Sequence, residues 1–171
     1  MQLDEPEDHA LGRSQGGFGT KAHLACDSSG TILAVFVTPG QAHESRSFEV
    51  VMSRACRPRR KGRKRWPAKL AGDKGYSYPR IRRWLWRHHI GAVVPTRKAK
   101  DTPRDENFDK ASYRKRNLIE RVIGWFKECR ALATRYDKLA VNYVALWLIA
   151  TIHFLLRKRL KWFAAALSET T

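Results

Sequence analysis

Acidic residues are scarce in this 171-residue chain. Sixteen Asp and Glu stand against 34 Lys and Arg, a formal net charge of +18 with a pI near 10.5. Such a surface repels itself unless a polyanion neutralises it, which points to DNA or RNA, with an acidic membrane face as the rival partner. Cysteine is scarce too. Cys26, Cys56 and Cys129 form no CxxC pair, which excludes a disulfide scaffold or a zinc ribbon and fits a reducing cytosol. The six histidines have no zinc-ligand spacing, and the adjacent His88 and His89 diverge by about 100° on a helix. Internal repeats and a basic-then-apolar leader are absent; the opening Met1-Gln2-Leu3-Asp4-Glu5-Pro6-Glu7-Asp8 is acidic. Only one apolar run is long, 140–156, interrupted by Asn142, Tyr143, Thr151 and His153 and followed by Arg157-Lys158-Arg159. It stands at the lower limit for a membrane span, and a buried C-terminal helix explains it equally well.

What is present suffices for one domain: 43% of the residues are hydrophobic, enough to bury a core. The glycine-rich stretch 12–19 predicts a loop. Two strand-like runs follow, 20–26 and 31–38, joined by Asp27-Ser28-Ser29-Gly30 as a tight hairpin. In the first, Ala22, Leu24 and Cys26 alternate with Lys21 and His23, which predicts one wet face; the second is apolar on both faces, which predicts a central strand. Residues 44–55 read as a helix burying Phe48, Val51 and Met52, and 57–65 as a solvated loop with seven cations in nine residues. Then come a strand at 68–71, a helix at 79–89 opened by Pro79, a strand at 91–95, a polar segment at 96–110, and helices at 112–132 and 140–161. This order predicts an α/β domain whose hairpin feeds one partly parallel, mixed sheet flanked by helices.

The chemistry concentrates in the helix 112–132. Tyr113, Arg116, Glu120 and Lys127 fall within an arc of about 60°, while Leu118, Val122, Trp125, Phe126 and Cys129 take the opposite side. A solvated face laced with ion pairs would show the same stripe. Glu120, however, is the only acid among 15 residues that carry Arg114, Lys115, Arg116 and Arg121. A lone carboxylate in a phosphate-attracting field suits a metal ligand. Asp73, just past a predicted strand end, is a partner carboxylate placed where α/β sheets hold ligands. Phosphodiester chemistry needs divalent cations, and Mg²⁺ prefers carboxylate oxygens.

The chain resembles the DDE-type transposases of bacterial insertion sequences, the group marked by Tyr-x2-Arg-x3-Glu-x6-Lys. Tyr113, Arg116, Glu120 and Lys127 match that spacing at every position. Ala71-Gly72-Asp73-Lys74-Gly75-Tyr76 resembles the family's second catalytic Asp motif. Gly12-Arg13-Ser14-Gln15-Gly16-Gly17-Phe18-Gly19-Thr20-Lys21 and Ala133-Thr134-Arg135-Tyr136-Asp137-Lys138 resemble two further segments. The resemblance implies an RNase H-like fold and Mg²⁺- or Mn²⁺-dependent cleavage at transposon ends, followed by joining of 3′-hydroxyls to target DNA. It implies Asp73 and Glu120 as catalytic metal ligands, with Tyr113, Arg116 and Lys127 on double-stranded DNA. Arg59, Arg60, Lys61, Arg63, Lys64 and Arg65 are further phosphate contacts, read from their charge. A cytoplasmic, nucleoid-associated protein follows, not a membrane protein.

One departure stands out. The family's first catalytic Asp lies on a strand upstream of the Gly-Arg-Ser-x-Gly-Gly segment, yet only eleven residues precede Gly12 and none forms an apolar strand. Asp4, Asp8 and Asp27 are not convincing substitutes. The resemblance is therefore to the C-terminal part of a transposase, truncated or the downstream product of a split frame. Its partner is then an upstream-frame product or a second copy in a homodimer. The division expected is a polar, glycine-rich segment at 1–17, a truncated core at 18–156 and a basic tail at 157–171. The alternative is a non-catalytic, basic DNA-binding remnant.

Overall fold

A computed structural model describes residues 5–56, 65–96 and 108–168, with side chains through residue 160. Three antiparallel strands, β1 (Gly12–Ser14), β2 (Gly17–Cys26) and β3 (Ile32–Pro39), lie in the order β1-β2-β3. The loop predicted for 12–19 is in fact a hairpin, with Gly12 opposite Gly19, Arg13 opposite Phe18 and Ser14 opposite Gly17. Glycine here makes the turn rather than opposing the strands: Gly17 takes φ +110°, and the Ser14 hydroxyl donates to its carbonyl at 3.0 Å. The next turn is the hairpin that the sequence predicts. Asp27 Oδ1 accepts from the Ser29 and Thr31 amides, and Gly30 takes φ +80°.

Helix α1 (Glu44–Ala55) buries Phe48, Val51 and Met52, as its periodicity predicts. It packs on β2 and β3, and this overturns two expectations. His23, on the face expected to be wet, is 4% exposed. Its Nε2 lies 2.8 Å from Thr38 Oγ1 and 3.2 Å from Ser47 Oγ, so a polar side chain enters the core with its partners. Strand β3 is apolar on both faces yet is the edge of the described sheet, not its centre. Its faces are covered by helices, α1 and the C-terminal helix, rather than its flanks by strands.

A strand-helix-strand unit follows: β4 (Lys69–Ala71), a 3-10 turn (Lys74–Tyr76), α2 (Pro79–Arg87) and β5 (Gly91–Val93). The strands pair in parallel, Leu70 opposite Ala92. Ile81 and Leu85, both wholly buried, pack with Ile90, Phe48 and Met52, so α1, which lies on β2 and β3, also forms a core with α2. The fold is α/β, but the single mixed sheet is not formed among the described residues: β4 and β5 make a sheet of their own. Over 20–26, the edge of β2 that faces away from β3 has no strand partner among the described residues.

The helix predicted over 112–132 is three helices, α3 (Lys110–Arg114), α4 (Asn117–Lys127) and α5 (Arg130–Ala133). At the first break the bonding tightens to three-residue spacing, with Arg116 N donating to Tyr113 O and Ile119 N to Arg116 O. The second break is forced by packing. Phe126 and Leu132 are both buried, yet residues six apart on one helix face about 120° away from each other. Cys129 turns extended between them and is exposed, not part of the apolar face.

The last helix, α6 (Ala140–Ser168), continues unbroken through Leu156. Ala140, Tyr143, Val144 and Trp147 pack against Val35, Val37, Val122 and Phe126. Its segment Ala140–Leu160 is long and apolar enough to cross a membrane by length and composition, and Ile149, Ile152, Leu156 and Leu160 are exposed. Two remote contacts fix its start. Glu5 Oε1 accepts from the Ala140 amide and Oε2 from the Val141 amide, both at 2.8 Å. Arg135, in the segment before α6, donates to Ala10 O, Thr20 Oγ1, Asp137 O and Lys138 O.

Candidate active site and DNA-contact surface

Asp73 leaves the carboxyl end of β4 in extended conformation, and its Oδ1 accepts from the Gly75 amide at 2.7 Å, capping the 3-10 turn. Glu44, the first residue of α1, reaches the same place. A Cβ on Gly75 would stand 2.8 Å from Asp73 Oδ1 and 3.1 Å from Glu44 Oε2. The two carboxylates thus lie inside the range of about 6 Å over which like charges act on each other. Tyr76 registers both: burial, then Glu44 and Asp73, push its pKa up to about 12. Lys21 Nζ is 3.7 Å from Glu44 and donates to Ala42 O, and the Tyr78 hydroxyl lies 3.0 Å from His43 Nε2. Nothing in the sequence pattern singles out Glu44, whose carboxylate stands beside Asp73.

Tyr113, Arg116 and Glu120 form one connected row despite the break between α3 and α4. The Arg116 guanidinium sits 5.4 Å from the Tyr113 ring centroid and 2.8 Å from Glu120 Oε1. Tyr113 and Arg116 are half-buried; Glu120 and Lys127 are exposed. Phe108 packs edge-on against Tyr113 at 5.3 Å. Asp109 caps α3 through the Ser112 amide and pairs with Lys69 of β4 at 2.7 Å, which ties the row to the strand that ends at Asp73. The Lys69 hydrogen bond, with those from Ser112, holds Asp109 well below the usual carboxylate range.

A family model described as a transposase DDE domain matches residues 5–155. The chain belongs to that family. No curated protein and no solved structure matches it. Both ends of the matched span are anchored in the fold, residue 5 on α6 and the α6 core face on β3.

Transposases of this family use divalent metal ions. Asp73, Glu44 and Glu120 supply the hard oxygens that such ions take, but the transposase domain does not assemble them into one closed site. Among the described residues, no three His, Cys, Asp or Glu side chains form a group able to hold a metal. Asp73 follows a strand of the Phe48–Ile81–Leu85 core, while Glu120 rides on the helix that buries Val122 and Phe126 against α6. The structure brings Asp73 to Glu44, and Glu120 to Arg116 and Tyr113.

Of the basic run, Arg65 is exposed, while Arg59, Arg60, Lys61, Arg63 and Lys64 lie outside the described residues. Trp84 is core, stacked on His88 at 3.8 Å and packed edge-on against Phe48, whereas Trp86 is 77% exposed.

Proposed function

We propose that this transposase domain takes part in metal-dependent cleavage of DNA and transfer of its strands, with Asp73 and Glu120 as the metal-ligating catalytic carboxylates. The observation that carries the proposal is Asp73 itself, a carboxylate offered at the carboxyl end of a parallel strand, where open α/β sheets hold their ligands. With Oδ1 held by the Gly75 amide, Oδ2 is the oxygen offered to a ligand. Arg116 orients Glu120, and with Tyr113, Lys127 and the run Arg59, Arg60, Lys61, Arg63, Lys64 and Arg65 it contacts DNA phosphates. Mg²⁺ or Mn²⁺, when bound, would activate the attacking oxygen and stabilise the leaving one.

An RNase H-like sheet completed by one more strand is part of this reading. It is supported by the division of the strands into two sheets and by the unpartnered edge of β2. That strand would come from an upstream-frame product or another copy of the protein, and the complex would act on transposon ends and target DNA in the cytoplasm, at the nucleoid.

A second reading, a DNA-binding chain without catalysis, is favoured by the Arg116–Glu120 ion pair, which neutralises one of the two carboxylates. Nicking of supercoiled plasmid with Mg²⁺ or Mn²⁺ separates the two. Under the first reading, Asp73→Ala and Glu120→Ala abolish nicking and leave DNA affinity unchanged. Metal-independent binding with no nicking, with or without the fused upstream frame, would leave only the second.

A further inference from the structure

The β1–β2 hairpin carries features that its own folding does not require. Phe18 is 72% exposed, directly opposite Arg13 in the register, and both face solvent at the tip of the ribbon. Arg13 has no ion-pair partner among the described residues. Gly16 and Gly19 need glycine neither for a positive φ nor for close packing: a Cβ on Gly19 would meet nothing within 4 Å, and one on Gly16 only Ser14 Oγ at 3.9 Å. Bare backbone that faces open space lets another chain come close. Between this hairpin and the turn at Gly40 and Gln41 lies a hollow of about 640 Å³ whose lining holds Arg13, Lys21, Gln15 and Gln41 and no carboxylate.

Its position gives it meaning. Lys21, on the wall of the hollow, pairs with Glu44, and Glu44 meets Asp73 above Gly75, so a cation of its lining adjoins the candidate active site. Another exposed aromatic with cations nearby, Trp86, lines a hollow with Arg87, His89 and Gly91. Gly91 begins β5, and Asp73 follows the end of the parallel strand β4, so Trp86 stands at the opposite end of that sheet.

We propose that the β1–β2 hairpin is a DNA-holding finger. The sugar-phosphate backbone of a strand leading to Asp73 lies in the hollow, a phosphate pairs with Arg13, and an unpaired base stacks on Phe18. The proposal rests on the DNA-processing reading above and adds to it a binding site and the form of DNA it prefers. Phosphate contacts of this kind are independent of sequence and weaken with salt, whereas stacking on an aromatic requires a base outside the duplex.

The test uses the full chain, a fluorescein-labelled duplex with a 3′ single-stranded overhang bearing 2-aminopurine, and the same duplex with blunt ends. Phe18→Ala should weaken binding of the overhang DNA at least fivefold and that of the blunt duplex less than twofold. Phe18→Trp should restore the affinity and quench the 2-aminopurine. Arg13→Ala should lower the slope of log affinity against log salt by about one on both DNAs. Because both side chains are exposed, the thermal midpoints should not move. Affinities and salt slopes equal to the parent's would overturn the finger while leaving the DNA reading intact, and equal weakening on both DNAs by Phe18→Ala would overturn the stacking. A parent chain that binds neither DNA would overturn both readings.

Discussion

Arg116 stands 2.8 Å from the carboxylate of Glu120, four residues on, while its guanidinium also lies over the ring of Tyr113. One cation thus serves two members of the stripe. Glu120 is exposed, and an exposed pair at this spacing contributes only about 0.3–0.5 kcal/mol. Arg116→Ala should therefore leave the urea midpoint nearly unchanged while lowering plasmid nicking at least tenfold and the salt slope of DNA binding by about one. A large loss of stability with normal nicking would show a structural role for Arg116 and none in positioning Glu120.

Gly75 offers a sharper test at the other carboxylate. A methyl group there would stand 2.8 Å from Asp73 Oδ1, closer than side-chain carbons come, and 3.1 Å from Glu44 Oε2, tighter than most, and the atoms that must yield are the two carboxylates. Gly75→Ala should displace Asp73 from the Gly75 amide, reduce nicking at least tenfold, and shift the thermal midpoint only slightly. Unchanged nicking would show that the present placement of Asp73 does not matter to the chemistry.

His23 makes stability depend on pH. Burial, with the nearby Lys21 charge, lowers its pKa from 6.5 to about 4, so the unfolded chain takes up the proton first as pH falls. Stability from this group is complete above about pH 6.5 and is lost between there and pH 4, up to about 3 kcal/mol. Urea unfolding across that interval should show the fall, and His23→Gln should flatten it. An equal slope in the variant would place the acid sensitivity elsewhere.

Glu5 supplies a fourth prediction. Desolvation raises its pKa, but hydrogen bonds from the Val141 and Ala140 amides, with His9, bring it below the ordinary carboxylate value. Its contribution is present at neutral pH and is lost as pH falls through that lowered value. Glu5→Gln can accept at only one oxygen and should lower the thermal midpoint by a few degrees at pH 7. At a pH low enough to protonate Glu5 in the parent, the difference should vanish.

Local patterns made much of this fold legible. Helix α1 has the bounds its sequence gives, and the β4-α2-β5 unit follows from short apolar runs punctuated by Gly72, Pro79 and Gly91. What escaped depends on distant parts of the chain. The apolar faces of β3 reflect helices laid on both sides, and His23 is buried because Thr38 and Ser47 come to meet it. The breaks that divide α3, α4 and α5 keep enough helical phase for the Tyr113–Lys127 spacing to read as one helix. At the candidate site the motif spacing locates Asp73 and Glu120, but Glu44 joins Asp73 only through tertiary packing.

The Glu5 cap on α6 also has a consequence in time. The bonded residues lie 135 apart, so the N-terminal segment is synthesised long before its partners exist. At ordinary translation rates the wait is on the order of ten seconds. Throughout it, β2 and β3 can pair, but their apolar faces lack α6, and Ala10 and Thr20 lack the Arg135 bonds that later hold them. Closure of the N-terminal segment is therefore a late folding event, and the nascent chain needs protection until α6 has left the ribosome.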